Sequence, residues 1–240
     1  MNAAVERVDM EAAFLLHARA YRETSEILEV FSQQHGRIGI VANGAKRPKS
    51  RWRGVLRPFQ PLRLSWSGRG TLYTLRSAEP SAPPFEVAGV GLMSAYYLNE
   101  LLIALMHRAD AHPLLFAHYA AALDALACEN DPETVLRRFE VSLLGEIGYG
   151  LVLDADVIAH EPLVADRHYE YVVDRGPVPV DADYEGDLVF SGTDLIAIRG
   201  GEFSGPAQLR AAKRLLRPVL HWALGGKTLR TREVLAAMAQ

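Results

Sequence analysis

Over the first 76 residues, apolar and polar side chains alternate in the short runs that half-buried strands produce. Phe14 to Arg19 (Phe-Leu-Leu-His-Ala-Arg) and Ile27 to Phe31 are two such runs, and after a turn at Gln34-His35-Gly36 comes Ile38-Gly39-Ile40-Val41-Ala42. Asn43 to Ser50 is turn chemistry loaded with charge. Leu62 to Trp66 and Thr71 to Leu75, joined through Gly68-Arg69-Gly70, form a last hairpin. About five short strands linked by tight turns predict a small antiparallel barrel. The five-stranded barrel that grips single-stranded nucleic acid, the OB-fold, is one such barrel; periodicity alone does not separate it from the others.

The pattern changes at Glu-Pro-Ser-Ala-Pro-Pro-Phe, residues 79–85, which places a domain boundary there and divides the chain into residues 1–80 and 81–240. Leu92 to His107 and Leu114 to Ala127 are apolar nearly all round, so both are expected as buried helices of a bundle. A third helix starts where Asp131 can cap and Pro132 takes the first helical position, and it runs through Leu136, Phe139, Leu143 and Leu144 to Gly145 or Gly148. Residues 154–201 read as an acidic insertion of loops and short strands, with Tyr169 to Val173 and Leu188 to Phe190 as weak strands. Pro206 opens a further helix that Pro218 should end or kink. The expected class is α+β: a five-stranded OB-fold barrel followed by a mainly helical domain carrying a small irregular acidic insertion.

Composition sharpens this picture in two ways. A 240-residue chain that is 49% hydrophobic buries a real core. The single cysteine, Cys128, excludes an intramolecular disulfide and a multi-cysteine zinc site, fits a reducing compartment, and reads as a small core residue. Met1 to Glu11 has no signal-peptide character and no window is long and apolar enough to span a membrane, so a cytoplasmic protein is expected. The net charge of −3 conceals a strong segregation. Arg37 to Arg76 holds ten Lys or Arg and no Asp or Glu, residues 154–194 hold eleven carboxylates against two arginines, and from residue 195 eight basic residues face two acidic ones. Concentrated like charge costs self-repulsion, and the usual compensation is attraction of a polyanion.

The candidate nucleic-acid contacts in the first basic block are Arg37, Lys46, Arg47, Lys49, Arg51, Trp52, Arg53 and Arg69. A positive groove holds the backbone of a single strand while aromatic faces stack its bases, and Trp52, flanked by Arg51 and Arg53, is the best stacking candidate. Phe59, Trp66 and Tyr73 are expected inside the barrel, where alternate strand positions must fill the interior. In the second basic block Arg210, Lys213, Arg214 and Arg217 recur at i, i+3, i+4 and i+7, giving one positive stripe that is either a solvated face or a second phosphate contact. Lys227, Arg230 and Arg232 follow it. Enzyme signatures fail: Gly226-Lys227-Thr228 lacks the preceding glycine and strand of a phosphate-binding loop, and no nucleophile elbow or zinc helix is present. The carboxylates of residues 154–194 show no repeating ligand spacing.

Several segments, in order, resemble the bacterial recombination mediator RecO family. They are Phe14 to Arg19 with Glu23-Thr24-Ser25, Gly36-Arg37 with Val41 to Ala45, Leu75 to Glu79, Tyr97 to Leu102, Leu136 to Glu140 with Leu143-Leu144-Gly145 and Gly148-Tyr149-Gly150, and Leu209 to Arg214. The resemblance implies an N-terminal OB-fold and a helical C-terminal domain. It implies binding of single- and double-stranded DNA, annealing of strands coated with single-stranded DNA-binding protein (SSB), and cooperation with RecR, often with RecF, in loading RecA, in the cytoplasm at the nucleoid. No cofactor is implied. Relatives hold the acidic SSB tail on the helical domain, and Arg137, with Arg138 beside it, is the position carried over. Some members bind zinc through four cysteines in the region matching residues 150–185; this chain has only His160 and His168 there, so no metal is expected. The expected function is a non-enzymatic mediator that anneals strands and helps load RecA on SSB-coated DNA. An RNA-binding OB-fold protein and a metal-dependent nuclease using the 154–194 carboxylates are the alternatives.

Overall fold

The computed structural model describes residues 5–128, 131–231 and Val234. Five strands, β1 (Glu6–Tyr21), β2 (Ser25–Ser32), β3 (Gly36–Ala42), β4 (Leu62–Arg69) and β5 (Leu72–Pro80), close a barrel in the order β1-β2-β3-β5-β4. This is the expected OB-fold, with two departures from the sequence reading. The barrel is not wholly antiparallel, because β3 and β5 pair in parallel from Gly39 opposite Leu72 to Val41 opposite Thr74. The long connection after Ala42 carries the chain across the barrel before β4 begins, which makes that pairing possible. β1 is also far longer than Phe14 to Arg19. Its first half pairs with β4 and its second half with β2, and register shifts at Val8/Glu11 and Leu15/His17 break the alternation that would have revealed it.

The barrel interior is filled by Leu15, Leu28, Val30, Ile40, Leu64 and Trp66 among others, with Tyr73 and Leu75 from β5. Trp66 and Tyr73 are thus core residues as expected. Phe59 is buried too, edge to face with Tyr96 at 5.1 Å.

Helices α1 (Gly89–Leu105) and α2 (Pro113–Cys128) pack on the outside of this barrel. The ring of Phe14 lies 5.2 Å from Phe116 and 5.1 Å from Tyr119, and Phe31 lies 5.3 Å from Phe116. Buried Asn99 donates to the Leu16 carbonyl at 2.9 Å and accepts from the Tyr119 hydroxyl, whose pKa burial pushes far up. Gly36, at φ +63°, is required here: a Cβ would collide with the Asp110 carbonyl of the α1–α2 loop. By compactness the chain therefore divides after α2, into one unit holding the barrel with α1 and α2 and a second unit following it. The proline-rich stretch at 79–85 marks the change from strand to helix. Cys128, in the last turn of α2, is exposed, contrary to the expected core position.

In the second unit α3 (Pro132–Glu146) starts as expected, with the Asp131 carboxylate accepting from the Glu133 N–H at 3.2 Å and Pro132 in the first turn. The acidic insertion contains a three-stranded sheet, β6 (His168–Val172), β7 (Gly176–Val180) and β8 (Val189–Ser191), in the order β7-β6-β8. A helix that the sequence reading left as insertion, α4 (Gly192–Gly200), follows directly. α5 (Pro206–Ala223) continues through Pro218 instead of ending there. Proline removes one N–H from the helix, but Leu215, Leu216, Val219 and Leu220 on both sides of it are buried, and that packing holds the helix together. Among the described residues no helix is long and apolar enough to cross a membrane.

Candidate nucleic-acid interface

The connection from Asn43 to Pro61 is a succession of tight turns, not a loose loop. Its N–H groups bond short-range carbonyls: Arg47 to Gly44 at 3.1 Å, Ser50 to Arg47 at 3.0 Å, Arg53 to Ser50 at 3.2 Å and Val55 to Trp52 at 3.1 Å. Apolar residues recur between the cations and fasten the chain to the barrel. Trp52 is only 6% exposed and belongs to the barrel core, with Ala45, Val55 and Leu56 packed against that core. The Trp52 indole N–H donates to the Asn43 carbonyl at 3.1 Å. The Lys46 N–H donates to the Thr24 carbonyl at 2.9 Å and ties the connection to the β1–β2 turn.

Trp52 is therefore not the exposed stacking surface the sequence suggested. One face of its ring is taken by the Arg51 guanidinium, 4.0 Å from the ring centre, and the rest is core. Its position makes it the anchor that holds neighbouring cations outward. Lys46, Arg47, Lys49, Arg51, Arg53 and Arg57 are all exposed on this connection. Arg51 reaches across to the Arg76 carbonyl on β5 at 3.1 Å, so the exposed Arg76 joins the group. None of these seven residues pairs with a carboxylate among the described residues.

The remaining cations of the block go elsewhere. Arg69 is exposed at the β4–β5 turn, and Arg63 lies on β4 opposite Glu79, donating to the Met10 carbonyl at 3.2 Å. Arg37 is a structural residue: half-buried, it donates to the Ile103 carbonyl, and burial lowers its pKa despite nearby Glu29, with Arg108 adding to the lowering. The outward side of β2 and β3 around it is covered. Arg108 pairs with Glu29 and lies against Gly39, and the Ala109 N–H bonds the Arg37 carbonyl at 3.0 Å. Arg22, in the β1–β2 turn that receives Lys46, is a further exposed cation that the sequence search missed because it lies outside the acid-free stretch. The pairing of Glu26 with Ala42 is the feature that brings that turn to the end of β3.

On α5 the four stripe residues are all exposed, but they are not equivalent. Lys213 pairs with Glu133 at 2.6 Å, and Arg214 donates to the Val189 carbonyl with its guanidinium 4.3 Å above the Phe190 ring. Arg210 and Arg217 have no partner among the described residues. Lys227 and Arg230 are exposed after the helix, and Arg232 lies outside the described residues. On α3 the two arginines differ as well. Arg137 is 7% exposed and paired with the fully buried Glu140 at 2.9 Å, so it is an internal ion pair; Arg138 is exposed and donates to the Gly201 carbonyl at 2.8 Å.

Four of the eleven carboxylates of residues 154–194 make local contacts. Asp156 accepts from the Ala159 N–H at 2.6 Å and the Ile158 N–H at 2.9 Å, and these bonds, with that of Ala159 foremost, lower its pKa. Glu170 accepts from the Tyr184 hydroxyl at 2.9 Å, Asp194 sits in the N-cap of α4 with Ser191, and Asp154 faces Arg199 at 3.6 Å. Among the described residues no group of three or more His, Cys, Asp or Glu is arranged to hold a metal ion.

Two family models cover most of the chain. Residues 10–84 match the family model described as recombination protein O N terminal, and residues 88–233 match recombination protein O C terminal. The chain is 44% identical over 238 residues to the DNA repair protein RecO of Azoarcus sp. strain BH72, covering 98% of both chains. It is 43% identical over 241 residues to that of Nitrosospira multiformis, covering 100% of both, and 43% identical over 230 residues to that of Coxiella burnetii strain CbuG_Q212, covering 96% of this chain and 99% of the relative. With an N-terminal OB-fold barrel, helices later in the sequence, and similarity along essentially its whole length, the chain belongs to the RecO family.

Proposed function

We propose that this protein is a non-enzymatic, DNA-binding mediator of recombinational repair that anneals complementary single strands and helps load RecA onto SSB-coated DNA. The observation that carries the reading is the ordered connection between β3 and β4, where exposed cations without carboxylate partners among the described residues surround a buried tryptophan. Such a surface attracts phosphate in any sequence context, as an annealing protein requires, because it reads backbone and not bases. Neutralising two strands at once lowers their repulsion and lets complementary bases meet. The named relatives are DNA repair proteins, and this supports DNA over RNA as the bound polymer.

The partners that fit are single- and double-stranded DNA, the SSB tail, RecR, often RecF, and RecA indirectly, in the cytoplasm at the nucleoid. For the acidic SSB tail the exposed Arg138 is the better candidate than Arg137. Charge reversal at Arg138 is expected to abolish pulldown by an SSB tail peptide while naked-DNA binding persists. Arg137→Ala instead removes one ion-pair partner of the fully buried Glu140 and is expected to lower stability, read by thermal unfolding.

The deciding experiment replaces Lys46, Arg47, Lys49 and Arg51 with Ala. The dependence of log affinity for single-stranded DNA on log salt is expected to flatten by up to about 2.8, roughly 0.7 per lost phosphate contact, and annealing of SSB-coated strands is expected to slow. Unchanged affinity and slope would refute the assignment.

A further inference from the structure

Two helices of the second unit end in the same way and bring two aromatic rings together. α3 closes with Gly148 at φ +84°, the Tyr149 N–H bonding the Leu144 carbonyl at 2.9 Å and the Gly148 N–H reaching Gly145 at 3.4 Å. α5 closes with Gly225 at φ +60°, its N–H bonding Trp222 and the Gly226 N–H bonding His221, both at 2.9 Å. Each is a glycine-terminated cap that fixes the backbone on either side of it. The rings of Tyr149 and Trp222 lie 5.2 Å apart at 73°, edge to face. Yet Tyr149 remains 38% and Trp222 48% exposed, whereas Trp66 and Tyr119 are completely buried. A fixed aromatic pair left half in water has surface to offer.

The setting of this pair selects its ligand. The exposed stripe of Arg210, Arg214 and Arg217 continues past Pro218 to the exposed His221, and Lys227 follows the cap. Arg210, Arg217 and Lys227 pair with no carboxylate among the described residues. The rings themselves sit at two helix C-termini, where partial negative charge repels phosphate but not a neutral base. Bases at the rings and phosphates along the stripe satisfy both conditions, and that is how single strands are held by stacking platforms.

We propose that Tyr149 and Trp222 form a base-stacking platform for single-stranded DNA whose phosphates run along Arg210, Arg217 and Lys227. This gives the chain a second strand site besides the barrel connection, and it rests on the reading of the protein as a DNA-binding annealer. The chain has three tryptophans, and Trp52 and Trp66 are buried, so quenching of tryptophan emission by oligothymidylate reports Trp222.

The test uses the full chain with Lys46, Arg47, Lys49 and Arg51 changed to Ala, which removes the barrel contacts. In that background oligothymidylate is expected still to quench emission. Adding Trp222→Leu, which removes the emitting ring, should weaken binding roughly tenfold or more as read by the anisotropy of a labelled oligothymidylate. Trp222→Phe, which keeps a stacking face, should restore it, an outcome that a purely structural role for the residue would not give. If the parent background shows no quenched binding, or Trp222→Leu binds as its parent does, the platform does not exist. If Trp222 emission responds to an acidic aromatic peptide and not to oligothymidylate, the surface is a protein dock and the proposal fails. Failure of the barrel reading shows separately, as full affinity and an unchanged salt slope in the four-alanine chain.

Discussion

The connection after β3 carries six exposed cations and the helix α5 four, and they present charge in different ways. On the connection no cation meets a carboxylate among the described residues, although Arg51 donates to the Arg76 carbonyl over the Trp52 ring and Arg53 to the Pro48 carbonyl, and the residue that orders the segment, Trp52, lies beneath them in the core. On α5 the helix itself supplies the order, and two of its four stripe residues are already engaged, Lys213 by Glu133 and Arg214 by Val189 and Phe190. The difference separates two uses of the same side chains. A cation held in place by its neighbours' burial stays available to a ligand, while a cation held by its own partner contributes to the fold first.

The largest test of this contrast is Trp52. If it is the anchor, Trp52→Ala empties a core position and is expected to cost about 3–5 kcal/mol of stability, together with a loss of DNA affinity as the connection loosens. Trp52→Phe should recover most of both despite losing the indole N–H to Asn43. Thermal unfolding and a DNA titration on the same preparations separate this from base stacking on Trp52, which would lower affinity and leave the unfolding midpoint in place.

The behaviour of Trp52 also marks where local sequence stops being informative. Strands and helices announced themselves through periodicity and caps: Ile38, Ile40 and Ala42 face the barrel core by alternation, and Asp131-Pro132 starts α3. The connection has no period, so nothing local distinguishes a tryptophan among arginines that stacks outward from one that plugs a barrel. Arg37, expected from the basic block, and Arg137, carried over from the family resemblance, are both turned inward for a related reason. Each has the spacing of a surface cation, but the α1–α2 loop covers the first, and the second turns inward toward Glu140. These burials depend on packing between segments far apart in the chain. α4 was legible and overlooked: Ser191 and Asp194 form the serine-to-acid spacing of a capped helix start, and Gly201, at φ +65°, ends it. The basic stripe on α5 was correct in geometry, since helical spacing alone fixes it, but spacing says nothing about which members are already paired.

A middle-sized test splits that stripe into its free and engaged halves. Replacing Arg210 and Arg217 with Ala is expected to flatten the single-strand salt slope by up to about 1.4 while leaving stability nearly unchanged. Replacing Lys213 and Arg214 with Ala should do the reverse, lowering the unfolding midpoint with less effect on the slope, because their groups are already held by Glu133, Val189 and Phe190. Equal slope changes for the two pairs would erase the distinction between engaged and free cations on this helix.

The smallest effect tests the engagement itself. Lys213 and Glu133 are both more than half accessible to solvent or nearly so, with side chains 60% and 50% exposed, and the 2.6 Å contact joins α5 to α3. Water screens such a pair, so a double-mutant cycle of Lys213→Ala and Glu133→Ala is expected to give a coupling of only about 0.2–1 kcal/mol in thermal unfolding. The pair nevertheless has a consequence for binding. Glu133→Ala frees the Lys213 ammonium without touching any cation, so DNA affinity at low salt should rise slightly and the salt slope should steepen by up to about 0.7. A loss of affinity on removing this acid would mean that Glu133 positions Lys213 for phosphate instead of holding it back, and the helix would then work by the same rule as the connection.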